Sequence, residues 1–290
     1  MRKALLCCLV LVGLVVMACS PDLSVAPTTA PTPTVVAQPA TPAVTGKVSV
    51  AGSTAVQPLA EKLAEGFMAK NRNVTIEVKG GGTGVGIKSG GTGAVDIGTA
   101  SRAISDAEKK EYPDMKVFPI AHVGLAVVAH PGVTVRNLTR AQVQGIFAGE
   151  ITNWEQVGGP NKTIIVASRE EGSGTRGAFQ ELVMGKDKKI YDRAILQPSN
   201  GAIRTTVATT PDSISYLSFG YLDKSVKALA FEGVEPTVEN VLAGKYPVVQ
   251  PLSMVTKGDP TGAAKAWLDW ILSPEGQTIV AKEDYIPVRK

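Results

Sequence analysis

From Gly46 onward the chain alternates short β-type runs with runs whose apolar residues recur at helical spacing, and this alternation restricts its fold more than any other feature. "KVSVAG" reads as a strand. After it Leu59, Leu63 and Phe67 fall on one helix face, with Ser53 placed as the expected N-cap. "VTIEVK" alternates as a half-buried strand does, and "VGLAVVAH" is an apolar run suited to a buried strand. "KTIIVASR" is a further strand, followed by Phe179, Leu182 and Val183 on a helix face. Near the end Ala263, Ala266, Trp267, Trp270 and Ile271 mark an amphipathic helix, with both tryptophans expected as core anchors. "SPEGQ" then opens another helix, with Ser273 as N-cap and Pro274 at its first position. A βαβα order of this kind predicts an α/β fold with a largely parallel sheet or sheets. No internal repeat is visible.

The 290 residues are enough for two small domains or one large one. With 44% hydrophobic and 19% charged residues, the chain can bury a core. A net charge of +4 is too mild to imply nucleic acid. Aromatics are only 5%, and no basic run is interleaved with them, which argues against a single-strand binder built on stacking platforms. Cys7, Cys8 and Cys19 all lie in the first twenty residues, so the rest of the chain has no disulfide framework and no cysteine metal site. His122 and His130 are the only histidines. On one strand they would stand roughly 27 Å apart at about 3.3 Å per residue, too far to share a metal. Neither a metal nor a cofactor is expected.

Arg2 and Lys3 precede an apolar stretch over residues 5–16, shorter than the ~20 residues of a spanning helix. The stretch closes on "VMACS", which resembles a bacterial lipobox with Cys19 as the lipidated first residue of the mature chain. An ordinary signal peptide cleaved nearby is the alternative. Residues 20–45 are rich in Pro, Thr, Ala and Val. Proline this dense removes backbone donors, so an extended spacer is expected. The chain is therefore expected to be exported and held by a lipid at the cell membrane, facing the periplasm or the cell exterior.

Three loops could hold one anion. "AGSTAVQP" (51–58) leaves a strand and offers the Ser53 and Thr54 hydroxyls. "KGGGTGVGIKSG" (79–90) nearly spells the phosphate loop G-x-x-x-x-G-K-[ST], but Ile87 separates Gly86 from Lys88. It continues through "DIGTASR" (96–102). "SREEGSGTRGAF" (168–179) places Arg169 at a strand end before Ser173, Gly174 and Thr175. Helix starts concentrate free N–H donors, glycines admit close approach, and an arginine adds planar paired donors. A "GST" before a helix is commonly only a cap, but here three donor-rich loops recur. No Walker A, G-x-G-x-x-G, G-x-S-x-G or metal cluster accompanies them. The residues suit holding an oxyanion and not transforming it, so no enzyme is expected.

With "AGSTAVQPLAE", "GGGTGVGIKSGGTGAVDIGTASR", "IFAGEITNWEQVGG", "SREEGSGTRGAF", "NGAIRTTVATTPDSISYLSFGY" and "YPVVQPLSMVTKG" in this order, the chain resembles the substrate-binding lipoproteins of bacterial high-affinity phosphate ABC transporters over residues 47–290. The resemblance implies a two-lobed periplasmic-binding-protein fold of type II, each lobe a sheet flanked by helices. Crossings are expected near 121–125 and 247–254. Lobe one would be 46–122 plus 252–290, and lobe two 123–251. It implies a monomer that binds inorganic phosphate between its lobes and delivers it to a membrane permease. Ser53, Thr54, Thr83, Arg169, Ser173, Gly174 and Thr175 match the family's phosphate-binding positions, and Glu171 matches an acid that orients the arginine. Some members carry Ser-Asp where this chain has Ser101-Arg102, and their aspartate accepts a phosphate proton. Here Ser101 is expected among the phosphate-binding residues, and Arg102 is expected either to bind the anion or to form a lobe-surface salt bridge. Asp96 is the nearest candidate acceptor, or else a turn cap. Lys88 is expected past the site on the following helix. Another tetrahedral oxyanion (sulfate, molybdate) and a secreted phosphate-sensing or adhesion role remain open alternatives.

Overall fold

A computed structural model describes residues 44–288. The expected signal peptide, Cys19 and the spacer up to residue 43 lie outside the described residues. Among the described residues no helix is long and apolar enough to cross a membrane.

The chain opens with β1 (Gly46–Gly52), α1 (Gln57–Lys70), β2 (Val74–Lys79), α2 (Thr83–Thr92), β3 (Ile97–Ala100) and α3 (Asp106–Glu111). β1 pairs in parallel with β2 on one side and β3 on the other. This is the arrangement that helical crossovers between consecutive strands impose. The long β4 (Met115–Ala129) follows, then β5 (Asn137–Leu138), α4 (Arg140–Phe147), β6 (Ile165–Arg169), α5 (Gly174–Phe179) and β7 (Ile195–Gln197). Next come α6 (Asn200–Thr209), β8 (Ser213–Ser218), β9 (Lys227–Ala228), β10 (Ala230–Phe231) and α7 (Val238–Leu242). The chain closes with β11 (Val249–Lys257), α8 (Gly262–Ile271), α9 (Pro274–Lys282) and β12 (Ile286–Pro287).

The main sheet runs β2-β1-β3-β11-β4-β8-β6-β7. The expected parallel character holds inside each half, where β1 joins β2 and β3, and β6 joins β7 and β8. The middle departs from it: β11 is antiparallel to both β3 and β4, and β4 is antiparallel to β8. The reason is connectivity. β4 carries the chain out of the first half and β11 brings it back, so neighbouring segments run in opposite senses. β4 pairs with β11 as far as Gly124 and with β8 from Leu125 onward. The run "VGLAVVAH" is thus only the second part of a fifteen-residue strand. Pro119 hides the first part in the sequence, since proline reads as a strand breaker. It is tolerated because it sits where the ladder with β11 shifts register between Leu252 and Ser253.

The cores follow the expected periodicity. Leu59, Leu63 and Phe67 of α1 are buried, as is Trp267 of α8, whose Nε1 donates to the Leu63 carbonyl at 3.4 Å. Trp270 is half-buried and packs tilted against Phe67. In the other half Phe147, Phe179 and Tyr216 form an aromatic cluster, with Phe179 stacked on Tyr216 at 4.1 Å.

Candidate anion site at the strand ends

The carboxyl ends of β1, β3 and β6 and the starts of α2, α5 and α6 converge on one place, as ligand crevices do in α/β sheets. Ser53, Thr54, Thr83, Ser101, Arg169, Ser173 and Thr175 are each at most 5% exposed. The structure therefore brings together side chains from all three loops.

In the first half, Ser53 does not cap α1. The helix starts later, with Val56 at its N-cap and proline in its first turn. The Ser53 Oγ instead accepts from Ala55 N at 3.2 Å, while its carbonyl accepts from Val56 and Gln57, closing a tight turn. Thr83 begins α2, and its Oγ1 accepts from Ser101 N at 3.0 Å. The Ser101 Oγ lies 3.4 Å from it. The second and third strand ends are thus braced through one hydroxyl.

In the other half, Arg169 is 1% exposed. Its Nε donates to the Gln197 carbonyl at 3.0 Å and its Nη2 to the Pro198 carbonyl at 2.8 Å. Its Nη1 is buried with no protein partner. Behind it the Tyr216 hydroxyl accepts from Arg169 N at 3.3 Å and lies 2.8 Å from the Ser168 Oγ. Burial pushes the guanidinium below its ordinary pKa. Among the described residues no aspartate or glutamate is buried, so this cation has no buried carboxylate to neutralise it. A desolvated charge costs several kcal/mol unless paired, roughly, and the fork with one unused donor fits an anion as its partner.

The halves touch across this place. Gly84 N donates to the Gly172 carbonyl at 2.9 Å, and the Tyr221 hydroxyl donates to the Thr54 carbonyl at 2.7 Å. A Cβ on Gly174 would sit 2.2 Å from Thr83 Oγ1 and 2.5 Å from Ser101 Oγ, so only glycine permits this approach.

Three of the expected residues are placed or paired elsewhere. Glu171 is exposed and makes no bond to Arg169, because two main-chain carbonyls already orient the fork. Asp96 lies before the opposite end of β3, exposed, and accepts from Ser49 N and Oγ at 2.7 Å each. The four residues of β3, about 13 Å long, separate it from the site. Arg102 takes the salt-bridge alternative. Its two terminal nitrogens reach Glu108 at 2.7 and 2.9 Å, and Nη1 also donates to the Ala103 carbonyl. The Arg102 guanidinium holds the Glu108 carboxyl down, at about 2. Lys88 is exposed on α2.

Sequence reasoning missed Asn200, a fully buried side chain at the first position of α6, and Tyr221. Both lie inside a stretch quoted above, but an asparagine beside a capping serine reads as ordinary helix-start chemistry.

The PBP superfamily domain matches residues 37–275. The phosphate-binding protein PstS of Bacillus subtilis (strain 168) is 37% identical over 248 residues, covering 84% of this chain and 81% of the relative. Among solved structures, a phosphate ABC transporter substrate-binding protein from Clostridium perfringens with bound phosphate is 41% identical. It superposes with a TM-score of 0.80 over 84% of this chain and 100% of its own. An ABC-type phosphate transport receptor from Vibrio cholerae is 32% identical, with a TM-score of 0.67 over 82% of this chain and 99% of its own.

Proposed function

The chain belongs to the phosphate-binding protein (PstS) family of the PBP superfamily, and from that premise we propose that it captures inorganic phosphate in the cleft described above and delivers it to the permease of an ABC importer. The observation that carries this reading is Arg169, a buried guanidinium with one free nitrogen and, among the described residues, no buried carboxylate to pair with, at the strand end that leads into the buried Ser173 and Thr175. Lobe one is residues 46–122 plus 252–290 and lobe two is 123–251, with β4 and β11 as the crossings. Arg169 supplies the charge. Ser53, Thr54, Thr83, Ser101, Ser173, Gly174 and Thr175 supply neutral donors that leave the site no more positive than the anion requires. Arg102, tied to Glu108, stays outside the ligand shell. The chain acts as a monomeric receptor without catalysis, exported and held by a lipid on Cys19, facing the periplasm or cell exterior.

The test is calorimetric titration of the full chain, stripped of phosphate, with phosphate and then sulfate. One-to-one phosphate binding is expected. Arg169→Ala should weaken it about 1,000-fold, the ~4 kcal/mol of a charge-assisted pair together with an underpaired anion. Unchanged affinity in that variant rules out the site. A second reading, a receptor for tetrahedral oxyanions more broadly, is favoured by one observation: among the described residues no carboxylate is buried to accept a phosphate proton. Sulfate binding as tight as phosphate would establish it.

A further inference from the structure

Asn200 makes more use of its side chain than a helix-start residue needs. Its Oδ1 accepts from the main-chain N–H of Ser218 at 3.3 Å. A main-chain N–H can only donate, so this contact sets the orientation of the carboxamide and turns its Nδ2 the other way. The Nδ2 donates to Thr54 Oγ1 at 3.1 Å and to Thr175 Oγ1 at 3.3 Å. Asn200 N donates to the same Thr54 oxygen at 3.3 Å. Thr54 stands on the β1–α1 loop of the first lobe, whereas Thr175, Ser218 and Asn200 belong to the second.

A hydroxyl has one proton and two lone pairs. Thr54 Oγ1 accepts twice from Asn200, so both lone pairs are engaged and its proton must point elsewhere. Thr175 Oγ1 accepts once, with the same bias. We propose that Asn200 is a positioning residue that latches the two lobes through Thr54 and, by filling hydroxyl lone pairs, commits Thr54 and Thr175 to donate their protons to the bound oxyanion. Tyr221 completes the latch by gripping the Thr54 carbonyl. Its phenol is pushed up to about 12 by burial, so it remains a donor at any pH where the protein works. A carboxamide does this without charge. It supplies an acceptor for Ser218 N and donors for two hydroxyls while leaving Arg169 the one buried charge among the described residues. The latch deepens the phosphate reading and rests on it, and it adds a kinetic consequence. The Asn200–Thr54 and Tyr221–Thr54 bonds cross between lobes, so they must break before ligand leaves. They need not form before ligand enters the open cleft.

The experiment compares the full chain with Asn200→Ala, Asn200→Asp and Tyr221→Phe, using inorganic phosphate as the probe. Calorimetry gives Kd, a radiolabelled-phosphate chase gives the dissociation rate, and melting of the phosphate-free protein checks folding. Asn200→Ala should raise Kd by about 30- to 100-fold, mostly through faster dissociation. Tyr221→Phe removes the one oxygen that holds the Thr54 carbonyl across the lobes. It should speed dissociation about 5- to 10-fold with the association rate unchanged. Asn200→Asp keeps the shape but offers only acceptors at pH 7, so both hydroxyls turn toward it and it should bind more weakly than Asn200→Ala. A purely structural role would instead lower the melting point of the phosphate-free protein and let the isosteric aspartate rescue binding. Dissociation within twofold of the unaltered chain in both Asn200→Ala and Tyr221→Phe overturns the latch, as does rescue by aspartate. In either case the receptor reading stands if the unaltered chain binds phosphate. No binding by the unaltered chain removes the reading and the latch together.

Discussion

At the scale of single residues, the site depends on side-chain chemistry at Arg169 and Asn200 and on size at Gly174. Gly174 has no open space for a methyl group, with Thr83 Oγ1 at 2.2 Å from where it would lie. The obstruction is between lobes, so it exists only when they close. Gly174→Ala should therefore fold and melt as before without phosphate, yet lose at least 100-fold in phosphate affinity, read by calorimetry beside a phosphate-free melt. Arg102 and Glu108 show the opposite case, a pair that contributes to stability away from the ligand. The Glu108 carboxyl is held at about 2, below the ordinary 4.5, chiefly by its bond to Arg102. A depressed carboxyl adds stability above its unfolded value and loses it as pH falls through its folded one. Glu108→Gln should cost about 1 kcal/mol at pH 7 after allowance for solvent screening, with the difference shrinking below pH 4.5 and gone only below about pH 2. Urea titrations at several pH values would measure it.

At the scale of elements, α2 explains most of the glycine-rich stretch. A Cβ on Gly86 would meet the Thr99 carbonyl oxygen at 2.1 Å, and one on Gly98 would meet the Gly86 carbonyl oxygen at 1.9 Å. The helix lies with its backbone directly on β1 and β3, which delivers Thr83 at its start to the strand ends. These glycines serve packing between backbones, while Gly82 and Gly84 lie at the cleft beside Gly172. Gly86→Ala should destabilise the phosphate-free fold by about 2–3 kcal/mol through overpacking against atoms that cannot move aside. A fall in the urea midpoint without a change in slope would be its signature.

At the scale of the molecule, two long strands side by side form the passage between lobes. β4 changes partners from β11 to β8 within one residue step, and Val248 O accepts from Leu125 N as β11 begins. If the lobes close on phosphate as proposed, bending concentrated there would open the cleft without unfolding either sheet. Small-angle scattering should show a smaller radius of gyration with phosphate than without it. Melting temperature should climb with phosphate concentration, with the added stability reaching ~4 kcal/mol at a thousandfold excess over Kd. A radius and a melting point both insensitive to phosphate would contradict ligand-driven closure.

The amino-acid sequence by itself determined the α/β alternation, the main strands and helices, and the three donor loops, because periodicity, caps and glycines are local signals. It also placed Arg169 among the hydroxyls, since a strand end followed by a donor-rich turn is visible in twelve residues. The tertiary structure alone decided who pairs with whom. Arg102 could have faced ligand or Glu108, which lies six positions on and also closes the capping box with Ser105. Asp96 looked close to the site in sequence, yet a strand carries it to the far end of the sheet. Arg169 found its orientation in the carbonyls of Gln197 and Pro198, not in the nearby Glu171. Asn200 acquired its role from Thr54, 146 positions away. Hydrogen bonds of this kind depend on distances of a few tenths of an ångström between chain segments far apart in sequence. Only packed lobes set such distances.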